Sequence, residues 1–436
     1  MGGAVRDELL GVPHADEDFL VPGVDHARLR ALLEPHGRIE DLEVHGQLVG
    51  VRMYPREPAI RALAPAGIEL TPPRAERSTG PGHRDFAIVS DASIGIEDDM
   101  ARRDFTINAM ARRLSTGELV DPFGGLADLG RRELRTVSEQ SFREDPLRIL
   151  RGLRLVSQLG FTPTGQTLIA MRIEAPGLRH VSAERIGGGL AADGMGELSK
   201  LLLGQRPALA LRLARETGIL GEVVPEFVPA FGYALESERQ PLPLDEHLFA
   251  VVQHAADAGL PLAIRLAALL HDLGKPEADE TGAAHALIGA KITGRILRRL
   301  RYPTKLRRHV VDLVTGHAFW LDRSPDRLFA RRFLAAHGDA LAFDLVAHKR
   351  VDLLAKDVAA AELERLDSFE QSLRSERSSP HRISDLAVDG RDLIEIGYQE
   401  SPALGRVLAV LLDEVLDEPA RNTRETLLAR ARRELQ

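Results

Sequence analysis

Along residues 1–140 the apolar positions come in short runs, Leu48–Tyr54, Phe86–Val89 and Glu118–Val120, broken by Gly and Pro. That spacing predicts short strands joined by turns. From Asp145 the pattern changes. Leu147, Leu150, Arg151, Arg154, Leu155 and Gln158 mix apolar and basic positions at i, i+3 and i+4, which predicts an amphipathic helix. Helical periodicity continues to the end, punctuated at Gly160, Gly177, Gly187-Gly188-Gly189, Gly204, Pro225, Pro241 and Pro303. The expected fold class is α+β: a small head with a mixed β-sheet, then an all-α remainder. Tyr233–Pro243 is polar with two prolines and reads as a linker; Ser372–Pro380 is a weaker boundary. The resulting divisions are 1–140, 141–232, 240–360 and 361–436.

Composition narrows the classes. A chain of 436 residues with 44% hydrophobic and 28% charged positions is globular and long enough for about three domains. The net charge of −8 excludes a globally basic nucleic-acid coat, so contact with nucleic acid must use local patches. With no cysteine, disulfide frameworks, thiolate zinc sites and thiol nucleophiles are excluded. The longest apolar runs, such as Val407–Leu412, are too short to cross a bilayer, and no signal peptide is evident; a cytoplasmic location without membrane contact is expected. Cationic positions are overwhelmingly Arg, which reads chiefly as compositional bias.

Three short motifs carry candidate chemistry. Gly2-Gly3 followed by Arg6 suits a tight turn presenting N–H groups to phosphate. Asp16 and Asp18 on a strand would project to one face, where two carboxylates repel unless a cation such as Mg²⁺ lies between them. Asp145 and Arg148 lie three apart and are expected on one helix face. A carboxylate only accepts hydrogen bonds and a guanidinium only donates them. Such a pair complements the pairing edges of cytosine and adenine and mismatches guanine and uracil. Taken in isolation, the pair reads first as an ordinary intrahelical ion pair.

In order, G-G-x-V-R-D, D-x-D-F, R-R-D-F-T-I-N-A-M (from Arg102), D-P-F-G-G-L-x-D-L (from Asp121) and E-D-P-L-R-I-L-R-x-x-R (from Glu144) resemble the class II tRNA nucleotidyltransferases, the CCA-adding enzymes and bacterial poly(A) polymerases. The resemblance covers residues 1–220. It implies a nucleotidyltransferase head followed by a helical neck and body, and C and A addition to the tRNA 3′ end from CTP and ATP with two Mg²⁺. Asp16 and Asp18 match the metal-binding catalytic carboxylates. Gly2, Gly3 and Arg6 match the opening nucleotide loop, and Arg102, Arg103 and Asn108 the triphosphate and ribose contacts. Asp145, Arg148, Arg151 and Arg154 match the amino-acid template and its phosphate contacts. Glu69 could assist the metals or orient the template, or be a plain strand residue. A poly(A) polymerase, and enzymes adding only CC or only A, remain open. Pro72–Arg84 is a candidate switch segment.

Two departures stand out. Family members usually have a helix and strand before the Gly-Gly turn, whereas this chain opens on the turn. The sheet is therefore expected to expose an edge, with a start further upstream or a compromised head. The Gly187–Gly189 run also replaces a continuing helix and is expected to loosen the neck.

Farther on, His247, His271-Asp272, His285, His317 and Asp352 resemble the pattern of HD-domain metal phosphohydrolases, whose donors suit Mn²⁺, Fe²⁺, Ni²⁺ or Mg²⁺. That resemblance implies an HD-type helical domain with phosphatase or 2′,3′-cyclic phosphodiesterase activity on RNA ends; a degenerate scaffold with buried histidines is the alternative. Eight basic residues and no acid between Lys291 and Arg308 suggest RNA-backbone contact. Trp320 is expected in the core. An HD hydrolase with an inert head, and a non-catalytic RNA-binding protein, are the rivals from other classes.

Overall fold

The computed structural model describes residues 1–13, 18–44, 46–78, 86–90, 93–189, 195–234, 241–321 and 326–435. They form two compact units: residues 1–228 with 297–302, and residues 229–296 with 303–436.

In the first unit a four-stranded sheet has the order β1 (Asp18–Leu20), β4 (Ile68–Thr71), β3 (Gln47–Pro55), β2 (Gly37–Val44). β1 and β4 are parallel, and the other pairings antiparallel, so the sheet is mixed as expected. The Leu48–Tyr54 run lies within β3, whose Val49 and Val51 are buried. Phe86–Ser90 pairs with Arg74–Ser78, so part of the Pro72–Arg84 segment is a strand; residues 79–85 lie outside the described residues. Among the described residues β1 is an end strand, in keeping with the expected open edge. The Met1 ammonium donates to the Asp18 carbonyl at 2.7 Å on that strand.

The helix Leu147–Leu159 is the spine of the first unit. Its Leu150, Leu153 and Val156 are buried, and left-handed Gly160 ends it. The Gly187–Gly189 run has a packing reason. A Cβ on Gly188 would strike the Arg301 carbonyl, and Gly188 N donates to Leu300 O at 3.0 Å. Ser199 Oγ donates to the Tyr302 hydroxyl at 2.9 Å beside it. These glycines seat the 297–302 segment; the expectation of a loosened neck gives way to a close backbone contact.

The second unit is helical. Leu262–Leu270 is apolar except for Arg265, whose Nε donates to the Leu260 carbonyl at 2.8 Å, and its residues Ile264–Leu270 are buried, as a central helix requires. Leu244–Asp257, Thr304–Gly316 and Asp339–Leu354 pack against it, the helix His285–Arg299 lies in this unit as far as Ile296, and Ala360–Glu376 packs on Asp339–Leu354. Ser372–Glu376, read as the start of a boundary, is the last turn of that final helix, with Leu373 buried. A smaller apolar cluster around Leu393, Leu411 and Leu427 organises the C-terminal helices. Among the described residues no helix is long and apolar enough to cross a membrane.

Candidate functional site

The first unit gathers its arginines on buried acids. Gly2, with φ 65°, lets the chain turn so that the Arg103 side chain packs where a Cβ would stand. Gly3 opens the helix Gly3–Leu10, which carries Arg6. Arg6 Nη1 donates to Asn108 Oδ1 at 2.6 Å, and Asn108 Nδ2 donates to Asp104 Oδ1 at 3.0 Å. The other oxygen of Asp104 accepts from Arg151 Nε at 2.7 Å. Burial alone would push the Asp104 carboxyl up; the Arg151 charge, with hydrogen bonds from Asn108 and Phe105, holds it well below the usual carboxylate range. Buried Asp99 does the same service for the neighbouring cations, accepting from Arg102 Nη2 at 2.7 Å and from Arg103 Nη2 at 3.4 Å. Arg154 pairs with Glu197 at 2.8 Å. Glycine turn, arginine pair, asparagine and helix arginines thus form one connected array.

The Asp145–Arg148 pair departs from expectation. Asp145 is extended at φ −141° and precedes the helix Leu147–Leu159 instead of lying on its face. A residue before proline is pushed out of the helical region, and Pro146 follows. Its Oδ1 accepts from Leu147 N at 3.1 Å, a capping contact. Its Oδ2 accepts from Arg185 Nη2 at 2.9 Å. Arg148 is held elsewhere, donating to the Arg102 carbonyl at 2.7 Å and to Glu144 Oε2 at 3.1 Å.

Of the two candidate metal carboxylates, Asp16 lies outside the described residues, and Asp18 opens β1. Glu69 is the register partner of Asp18, so the two side chains share a sheet face. That places a second carboxylate beside Asp18, a donor set suited to a hard divalent cation. Glu69 is also ion-paired to Arg52 across β3 and β4. The cavity of about 430 Å³ that Asp18 lines is walled by Met1, Val5, Phe19 and Leu20, and not by the arginine array.

In the second unit every expected donor converges. His271-Asp272 follows the central helix, His247 and Asp352 come from flanking helices, and His285 and His317 from a helix start and a helix end. His247 Nε2 lies 3.2 Å from Asp352 Oδ1, and His271 Nε2 lies 3.3 Å from Asp272 Oδ2. His317 Nε2 is 3.4 Å and His285 Nε2 3.6 Å from Asp272 Oδ1. Donor atoms of His247, His271 and Asp352, and of His271, Asp272 and His317, lie within 4.8 Å of one another. His271 Nδ1 and His317 Nδ1 face the Ala268 and Val314 carbonyls at 3.1 and 2.6 Å. Those contacts put the proton on Nδ1 and leave Nε2 as a ligand atom. Neither Nε2 of His247 nor that of His271 makes an aligned hydrogen bond. This buried donor set fits divalent cations.

Burial opposes a charge on His271, yet the Asp272 charge and the closeness of Asp352 push it up to about 9. Burial likewise lowers His247 and His285. It would raise the Asp272 and Asp352 carboxyls, but the surrounding imidazoles, with Lys275 and Lys356, hold both well below their usual range. Groups that favour a proton on His271 favour a metal cation there too.

Comparison with known proteins draws these features together. Residues 1–135 match the poly A polymerase head domain, 160–231 the probable RNA and SrmB-binding site of polymerase A, and 244–372 the HD domain. A multifunctional CCA protein of Xanthomonas campestris pv. campestris is 32% identical over 424 residues, covering 94% of this chain and 95% of the relative. The chain belongs to the multifunctional CCA protein family. Another member of the family, from Cupriavidus metallidurans, is 34% identical over 331 residues, covering 73% of each chain. One from Aromatoleum aromaticum is 37% identical over 281 residues, 64% of this chain and 62% of its own length. The Bacillus stearothermophilus CCA-adding enzyme in complex with CTP superposes with a TM-score of 0.69 at 25% identity, covering 100% of this chain and 92% of that one. Membership implies divalent metal ions in the chemistry.

Several participants escaped the sequence. Asp99, Glu197 and Arg185 hold or cap the expected residues. Buried His348 stacks edge-on to His271 at 4.8 Å between ring centroids, and its spacing of four from Asp352 on one helix was the signal for it. Trp320, expected in the core, is 65% exposed. It follows Phe319 in a segment outside any helix or strand, and Phe319 packs against Phe333 at 5.1 Å between ring centroids. Of the eight cations between Lys291 and Arg308, Arg299 is tied to Glu226 at 2.6 Å and Arg301 lies 3.8 Å from Glu184.

Proposed function

We propose that the first unit adds C and A nucleotides to the 3′ end of tRNA, using CTP, ATP and Mg²⁺. The observation that carries this reading is the connected array Gly2–Arg6–Asn108–Asp104–Arg151, flanked by Arg102, Arg103 and Arg154, in a chain whose fold matches a CTP-bound CCA-adding enzyme. In this reading Asp16 and Asp18, with Glu69 alongside, would hold Mg²⁺, whose chemistry when bound would be to acidify the RNA 3′-hydroxyl and to neutralise charge on the leaving pyrophosphate. The chain's own residues do the rest. Arg102 and Arg103, pre-aimed by Asp99, take triphosphate charge without reorganising at the moment of reaction. Arg151 and Arg154, fixed by Asp104 and Glu197, take further phosphate charge. Asp145 accepts the base amino group and Arg148 donates to the neighbouring ring nitrogen, which admits C and A. Both leave present partners to do so: Asp145 exchanges Arg185, and Arg148 exchanges Glu144 or the Arg102 carbonyl. A cytoplasmic location accompanies these substrates. The test is to offer tRNA lacking its terminal nucleotides with CTP, ATP or both. Two C and one A support the reading, whereas a long A ladder makes the chain a poly(A) polymerase.

A second reading concerns the second unit. The convergence of four histidines and two aspartates at one buried point favours a metal phosphohydrolase acting on RNA-end phosphates. Release of phosphate from 3′-phosphorylated RNA, abolished by His271→Ala, tests it; no release from the wild-type chain with added Mn²⁺, Ni²⁺ or Mg²⁺ removes it.

A further inference from the structure

The histidine–aspartate cluster opens into a cavity of about 410 Å³ with a distinctive rim. Only six of the 57 cationic Lys and Arg residues are lysines, and three of them, Lys275, Lys349 and Lys356, line this one cavity. Lys275 Nζ lies 2.7 Å from Asp272 Oδ2, Lys356 Nζ 2.7 Å from Asp352 Oδ1, and Lys349 Nζ 3.9 Å from Asp352 Oδ2. Arg365 joins the wall, and its buried Nε has no hydrogen-bond partner. Glu362 also lines the cavity, so four cations stand against three acids, two of which are the metal-facing aspartates. A compact ammonium with rotatable donors suits a phosphate oxygen beside a metal cluster.

Trp320 lines the same cavity, and it is the only tryptophan of the chain. Its ring is exposed, while Phe319 beside it is anchored among Phe333 and Phe369. Lys349 Nζ lies 5.3 Å from the Trp320 ring centroid, so the same ammonium touches both the aromatic face and the phosphate-sized space. A flat apolar plate next to an anion clamp is the arrangement that receives a nucleobase and its phosphate.

We propose that Trp320 is the stacking platform for the terminal nucleoside of a nucleotide whose phosphate is clamped by Lys275, Lys349 and Lys356 over the histidine–aspartate cluster. The proposal rests on the phosphohydrolase reading of this unit but concerns binding alone. The platform accepts any base, because stacking uses the face of the ring and not its edge.

Because Trp320 is the sole tryptophan, its fluorescence reports this cavity and not nucleotide bound to the first unit. The full chain is titrated with AMP, ribose 5-phosphate and inorganic phosphate, exciting where adenine is transparent. AMP is expected to quench saturably and to bind roughly fivefold or more tightly than ribose 5-phosphate, measured by its displacement of AMP. Lys349→Ala and Lys356→Ala should each weaken AMP about tenfold while leaving the far-ultraviolet dichroism unchanged. Absence of an AMP quench, or ribose 5-phosphate competing as well as AMP, overturns the stacking platform. AMP affinity unchanged in both lysine variants overturns the clamp. Phosphate release from RNA ends is followed in parallel. Quenching without release keeps the platform and removes the hydrolase, whereas release without quenching does the reverse.

Discussion

The two units solve opposite electrostatic problems. The first collects arginines and gives each an acid: Asp99 for Arg102 and Arg103, Asp104 for Arg151, Glu197 for Arg154. The second collects imidazoles and carboxylates around a point where buried ring nitrogens lack aligned partners. An array whose cations are already paired is rigid before any anion arrives, which is what stabilising a developing charge requires. A cluster with orphaned donors gains its stability only with a cation in place. The arginine array is set by folding, whereas in the proposed reading the histidine–aspartate cluster is completed by a metal ion.

The sharpest way to break this contrast is at the carboxylates of the first unit. Asp18→Ala should reduce nucleotide addition on the order of 10³-fold, read by extension of truncated tRNA, with thermal unfolding unchanged. Retained turnover would remove metal chemistry from β1. Next in size is loading of the second unit. Saturating metal, at about 100 times its dissociation constant, should stabilise that unit by about 2.7 kcal/mol in calorimetry of the full chain, and chelation should reverse it. His271→Ala should abolish the shift and the bound metal, and leave CCA addition intact. A shift that survives the mutation would mean the cluster is not the site.

The smallest expected effect tests whether the first array is already finished. Asp104→Asn keeps the shape but leaves Arg151 without its counter-charge; because the Arg151 side chain is 41% exposed, water replaces part of the loss. A destabilisation of about 1–2 kcal/mol at neutral pH is expected from chemical denaturation. The folded Asp104 carboxyl sits below its unfolded value, so its contribution is complete above the ordinary carboxylate range and fades as pH falls toward the folded value. The gap between Asp104→Asn and wild type should therefore be flat near neutrality and close in acid. A gap that widens in acid would contradict the assignment.

Much of this was legible in order along the chain. The mixed sheet, the spine helix and the meeting of His247, His271, Asp272, His317 and Asp352, with His285 close by, follow from strand-length runs, i, i+4 periodicity and separated histidines. What stayed hidden depends on neighbours far away in sequence. Glu197 is ordinary until Arg154 meets it, and Arg185 until it reaches Asp145. The Asp145 backbone departs from the helix that i, i+3 spacing predicts, because Pro146 forces the preceding residue out of the helix. Trp320 departs from the burial that a large aromatic beside Phe and Leu suggests, because Phe319 takes the place among Phe333 and Phe369.

The placement of Asp145 just ahead of its helix separates the two halves of the proposed base reader mechanically. Arg148 rides on a hydrogen-bonded rod, whereas Asp145 stands ahead of it with its backbone bonded to Ser141 and Arg148, so its carboxylate turns only about its own side-chain bonds, on leaving Leu147 N and Arg185. Cytosine and adenine differ in width, and in the proposed reading one arm fixed on the helix and one that turns on its side-chain bonds would grip both in succession.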